Sequence, residues 1–158
     1  MSLYILDTDC FSDLQKNHPM MVQRVEDNAE NLALTIVTVE EAIRGRFKAI
    51  RDASAPAQAD KLVLAYTGLC DTLDDFKNLN ILKFDQNAST IYTKFHRQIR
   101  LIGSQDLRIA AIVLANKGIL VTRNHRHFSQ VPDLVQEDWT IQPYKQGARS
   151  KKIPPQLQ

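Results

Sequence analysis

Short strand-like runs separated by long segments of helical period constrain this chain more than any other feature. Strands are expected over residues 3–7, 33–37, 80–84, 118–122 and, more faintly, 139–142, where large apolar and β-branched side chains cluster. Between them Leu62, Tyr66, Leu69, Leu73 and Phe76 recur at steps of 4, 3, 4 and 3. Ile91, Phe95, Ile99 and Ile102 recur at steps of 4, 4 and 3. Each set traces one apolar face of a helix. The run "IAAIVLA" at residues 109–115 is apolar nearly all round, which places its helix centrally and covered on most sides. Strands that alternate with helices are joined by crossovers, so the expected class is α/β with a mostly parallel sheet.

At 158 residues the chain fits one domain large enough to bury a core without a disulfide or metal staple. Cys10 and Cys70 are too few for an oxidised framework and form no C-x-x-C pair, which suits a reducing cytosol. The N-terminus has no basic region leading into a long apolar one, and no apolar run approaches the roughly 20 residues of a membrane span. A cytoplasmic protein without membrane contact is therefore expected. Of the 20 basic residues, Lys145, Arg149, Lys151 and Lys152 fall in the last fourteen positions, which hold none of the 18 acids; residues 1–144 thus carry a net charge of −2. The chain divides into a domain at 1–144 and a basic tail at 145–158, suited either to an acidic partner such as nucleic acid or to solvated disorder.

Most acids fall on polar helix faces. Three do not: Asp7 follows the first strand, Glu41 lies one turn into the helix after the second, and Asp106 opens the apolar helix. Each sits where a strand or loop hands over to a helix, so the three are candidates to converge at one edge of the sheet. Each also has a structural explanation. Asp7 or Asp9 suits the N-cap of a helix beginning near Phe11, Thr38 with Glu41 matches the capping box, and Asp106 complements a helix dipole.

Converging acids repel unless something positive sits among them, and a hard divalent ion is the economical answer. Carboxylates around Mg²⁺ or Mn²⁺ are the common apparatus of phosphodiester hydrolysis. His18, His96, His125 and His127 show no zinc-binding spacing, and neither a Walker loop, G-x-G-x-x-G nor a serine nucleophile elbow is present.

The stretches "YILDTDCFSDL", "TIVTVEEAIRG", "IGSQDLRIAAIVLANKGILVTRNHRHFSQVPDL" and "EDW" together resemble the PIN-domain ribonucleases, specifically the VapC-type toxins of bacterial toxin–antitoxin pairs. The resemblance implies a three-layer α/β/α sandwich with a mostly parallel central sheet, and cleavage of RNA with Mg²⁺ or Mn²⁺. It implies that Asp7, Glu41 and Asp106 are catalytic and hold the metal; Glu40 competes with Glu41, and the register of "EAIRG" favours Glu41. Asn124 stands at a fourth catalytic position where many relatives carry Asp, which bears on the number of ions. Asp9 replaces a common Asn or Ser, and His127 a common Asp.

The mechanism implied is in-line attack of water on a phosphodiester, leaving a 5′-phosphate and a 3′-hydroxyl, with Glu41 ligating the ion or orienting the water and Asn124 positioning water or a phosphate oxygen. Arg123 and Arg126 are either neutralisers of the RNA backbone or solvated loop residues. The resemblance further implies a homodimer and a cognate antitoxin that covers the crevice with an Arg or Lys. Leu14, Met20, Met21 and Val25 suit either such contacts or the core. Two other readings share these residues: a PIN-fold module with a decayed site, binding RNA or a protein partner, and a haloacid-dehalogenase-type phosphatase using the D-x-D of "DTD".

Overall fold

The computed structural model describes residues 2–141, so the basic tail expected at 145–158 lies outside the described residues. Five short strands, β1 (Tyr4–Leu6), β2 (Leu32–Thr35), β3 (Asn80–Leu82), β4 (Ile119–Val121) and β5 (Val135–Glu137), form one sheet in the order β3-β2-β1-β4-β5. Every pairing is parallel, with Ile5 opposite Ala33 on one side and Leu120 on the other. The helices are α1 (Thr8–Gln15), α2 (Pro19–Asp27), α3 (Ile36–Asp52), α4 (Ala59–Phe76), α5 (Gln86–Gln98), α6 (Ser104–Ala115) and the single turn α7 (His125–Phe128).

Strand side chains alternate between two cores. Ile5, Ala33 and Leu120 pack with Phe95 of α5 and Leu107, Ile109, Ile112 and Val113 of α6. Leu6, Leu34 and Val121 pack on the opposite face with Cys10 and Phe11 of α1, Met21 of α2 and Trp139. The result is a three-layer α/β/α sandwich, and α6 is buried along most of its length as its all-round apolarity requires. Gly118 lets β4 enter the sheet: a Cβ there would stand 2.6 Å from Ile5 Cδ1 and 3.1 Å from Leu3 O. Among the described residues no helix is long and apolar enough to cross a membrane.

Two local expectations are corrected and one left open is decided. The last strand is Val135–Glu137 rather than 139–142. The Asp138 carboxylate accepts from Thr140 N at 2.8 Å and from its hydroxyl at 2.5 Å, a turn that follows the strand and leaves Trp139 directed inward. The indole is fully buried 5.0 Å from the Tyr4 ring and donates to Glu137 at 2.8 Å. On α4, Tyr66 and Leu73 are exposed; the inward row runs instead through Leu62, Ala65, Leu69, Thr72 and Phe76. Of the early-helix residues offered for partner contacts, Met21 is fully buried and Leu14 and Val25 pack against the same core, so that apolar face belongs to the fold.

Candidate active site

The chain starts at the centre of the sheet, moves outward through β2 to β3, then crosses back to β4. Connections leaving β1 and β4 therefore diverge, and a crevice opens at the carboxyl ends of these two strands. Asp7 is the first residue beyond β1. Its backbone N–H donates to Val121 O at 3.0 Å, Oδ1 accepts from Cys10 N at 2.8 Å, and Oδ2 accepts from Thr122 Oγ1 at 2.5 Å. It caps α1, which begins at Thr8 rather than near Phe11, and it also stands at the crevice.

Glu41 is not part of a capping box. The N-cap of α3 is Thr35, whose hydroxyl accepts from Thr38 N at 3.1 Å, and Glu41 lies a turn further on. Its Oε1 accepts from Thr8 Oγ1 at 2.7 Å, which draws it toward Asp7. Neighbouring Glu40 turns away, bonded to Arg44 at 2.6 Å and to Gln105 at 2.9 Å. Asp106 lies in the first turn of α6, where the N-cap is Gly103 without a side-chain bond. Asn124 caps nothing with its side chain; its N–H donates to Thr122 Oγ1 at 2.9 Å and its Nδ2 lies 3.0 Å from His127 Nδ1. Asp7, Thr8, Asp9, Glu41, Asp106 and Asn124 line one crevice of about 100 Å³.

Burial pushes the carboxyls of Asp7, Glu41 and Asp106 up from their ordinary values. Hydrogen bonds from Thr122 to Asp7 and from Thr8 to Glu41 offset part of this, as does His127 beside Asp106, whereas Asp9 raises all three. His127 Nδ1 is 3.8 Å from Asp106 Oδ2. Arg123 is engaged elsewhere, its Nε 2.9 Å from Asp13 Oδ2, and Arg126 is exposed without an ion pair among the described residues. Among the described residues no Lys or Arg lines the crevice.

Among the described residues no group of three or more His, Cys, Asp or Glu side chains is placed to hold a metal ion by itself. The donors that do meet are oxygens on different elements, the set that suits Mg²⁺ or Mn²⁺, since Mg²⁺ keeps several waters and takes only one or two protein carboxylates. Thr8, Thr122 and Asp9 complete the arrangement. Their signals lie inside "DTD" and "LVTRN", but a hydroxyl's partner is set by tertiary packing and is silent in the sequence.

The PIN domain family model matches residues 4–134. The chain is 30% identical to Ribonuclease VapC1 of Haemophilus influenzae (strain R2866), covering 87% of this chain and 98% of that protein. Its structure is similar to that of VapBC-1 from nontypeable Haemophilus influenzae, with a TM-score of 0.70, 27% identity and coverage of 88% and 99%. The fold is also that of a toxin-antitoxin complex chain from Klebsiella pneumoniae, with a TM-score of 0.63, 20% identity and coverage of 90% and 98%.

Proposed function

The chain belongs to the PIN-domain family, among its VapC-type members, and from that membership we propose that it is a Mg²⁺- or Mn²⁺-dependent endoribonuclease, the toxin of a toxin–antitoxin pair. One observation carries the proposal: three desolvated carboxylates, from the end of β1, from α3 and from α6, line one crevice to which, among the described residues, no Lys or Arg contributes. The family match gives the D-x-D phosphatase no support.

A hard divalent cation supplies, when bound, a Lewis acid for the phosphoryl oxygen and acidifies water toward neutral pH. Asp7 and Asp106 are the residues to hold it. Asp7 retains acceptor capacity although both its oxygens are hydrogen-bonded, since a carboxylate offers about four lone-pair positions. Glu41, aligned by the Thr8 hydroxyl, ligates the ion or orients the attacking water. Asn124, tied to Thr122 through its backbone, places its amide where a water or a phosphate oxygen needs a partner. His127 lies between Asn124 and Asp106 at the rim.

The test is cleavage of single-stranded or looped RNA by the purified chain in Mg²⁺ or Mn²⁺, with 5′-phosphate and 3′-hydroxyl ends expected and complete loss in EDTA. Undiminished cleavage in EDTA would sink the mechanism. The second reading, a binding module with a decayed site, has Asn124 in its favour and expects RNA bound but uncut at every metal concentration. We assign as partners the RNA, a cognate antitoxin that sets a cation against the carboxylates, and a second copy of the chain.

A further inference from the structure

A groove of about 440 Å³ adjoins the acidic crevice, and Thr8, Asp9 and Glu41 line both. Gln15, Lys16, Gly45 and Arg46 also line it. Arg46 is held there in an unusual way. Its Nε donates at 2.8 Å to Thr72 Oγ1, a fully buried hydroxyl that also accepts from Gln15 Nε2 at 3.1 Å. Its guanidinium lies over Gly68 of α4, where a Cβ would stand 3.1 Å from Nη1. Among the described residues Arg46 makes no salt bridge. A half-buried arginine fixed by a neutral hydroxyl and bare backbone keeps its terminal donors for an anion arriving from outside.

We propose that Arg46, assisted by Lys16, binds one backbone phosphate of the RNA beside the scissile phosphodiester. The proposal rests on the crevice being the ribonuclease centre. Glu41 and Arg46 are five residues apart on α3, a rise of about 7.5 Å, comparable to the separation of neighbouring phosphates along a single strand. Gly45 presents no side chain between them, and a Cβ there would meet nothing within 4 Å, so the path along the helix is open. Past Gln15 the surface turns acidic with Asp71, Asp74 and Asp75 around a second hollow. Phosphates are repelled there, so the subsite takes a single phosphate and the strand leaves the surface beyond it.

Binding of a fluorescent single-stranded RNA to the full chain in EDTA tests this without hydrolysis. Arg46→Gln is expected to weaken binding about tenfold, the loss typical of one charge-assisted contact. It should make the slope of log K against log salt shallower by about 0.7. Arg46→Lys should recover only part, since it restores charge without the planar fork. Gly68→Ala leaves Arg46 in place but crowds its guanidinium, and is expected to weaken RNA binding while the thermal midpoint holds or rises, because alanine suits a helix interior better than glycine. In cleavage assays the loss should fall on KM. Unchanged RNA affinity and salt slope in both Arg46→Gln and Gly68→Ala would overturn the subsite, whatever either variant does to a protein partner. The ribonuclease assignment fails separately, by an absence of metal-dependent cleavage in the unmodified chain.

Discussion

Asp7 joins two roles in one side chain, a helix cap through Oδ1 and a crevice carboxylate bonded to Thr122 through Oδ2. Substitutions should separate them. Asp7→Asn retains an acceptor for Cys10 N and is expected to abolish cleavage while keeping the thermal midpoint; Asp7→Ala should lose cleavage and about 1 kcal/mol of stability as well. Glu41→Gln should be inactive and as stable as the parent, because Glu41 bonds Thr8 and does not cap α3. Normal turnover with a lowered midpoint would contradict that role.

The pH dependence of the metal-free protein follows from burial. Asp7 and Asp106 are raised from 3.8 and Glu41 from 4.5, so the folded state binds these protons more tightly than the unfolded one. The cost of their ionisation is fully present above the raised values, shrinks as pH falls through them, and is gone below the ordinary values. In EDTA the midpoint of the parent, measured by calorimetry, should gain on that of Asp7→Asn as the pH is lowered from neutrality toward about 5. Saturating Mn²⁺ should remove the difference in trend. The convergence of the three acids on one crevice was legible because Asp7 follows a recognisable strand, Asp106 opens a recognisable helix and Glu41 lies near the start of another. Thr8 and Thr122 were not, since the bond from Thr122 to Asp7 joins positions 115 residues apart.

Elements were legible where periodicity was long and failed where it was short. The buried helix α6 occurs where its apolarity put it, and Ile91 and Phe95 face the core from α5, but α5 ends at Gln98, so Ile99 and Ile102 reach the same core from the loop beyond it. β5 is only three residues long, and its polar Gln136 and Glu137 hid it behind the more strand-like "WTIQ". On α4 the sequence row through Tyr66 and Leu73 was apolar but outward; the true inner row contains Thr72, whose hydroxyl is used by Arg46 and Gln15. Gly118 sets the seating of β4 on β1. Gly118→Ala should cost about 1–3 kcal/mol in denaturant unfolding, as overpacking does in tight cores, because the clash falls on Ile5 and on backbone. At the β4–α7 junction Asn124→Asp adds a charge to the crevice and is expected to tighten Mn²⁺ binding several-fold by calorimetry. An unchanged affinity would put Asn124 outside the coordination sphere.

At the scale of the molecule, light scattering should give a mass near twice 18.0 kDa, and a strictly monomeric chain would remove the dimer. A chain ending at Tyr144 should still associate yet bind RNA with a shallower salt slope, because it lacks Lys145, Arg149, Lys151 and Lys152; an unaltered slope would leave the tail without a part in RNA binding. The order β3-β2-β1-β4-β5 has a consequence during synthesis. β1 emerges first and waits at the centre of a half-built sheet until β4, Thr122 and Asn124 follow. A growing chain on the ribosome therefore has Asp7 and Glu41 long before it has the wall that completes their crevice. The crevice of the proposed nuclease is thus completed only when nearly all of the domain has been made.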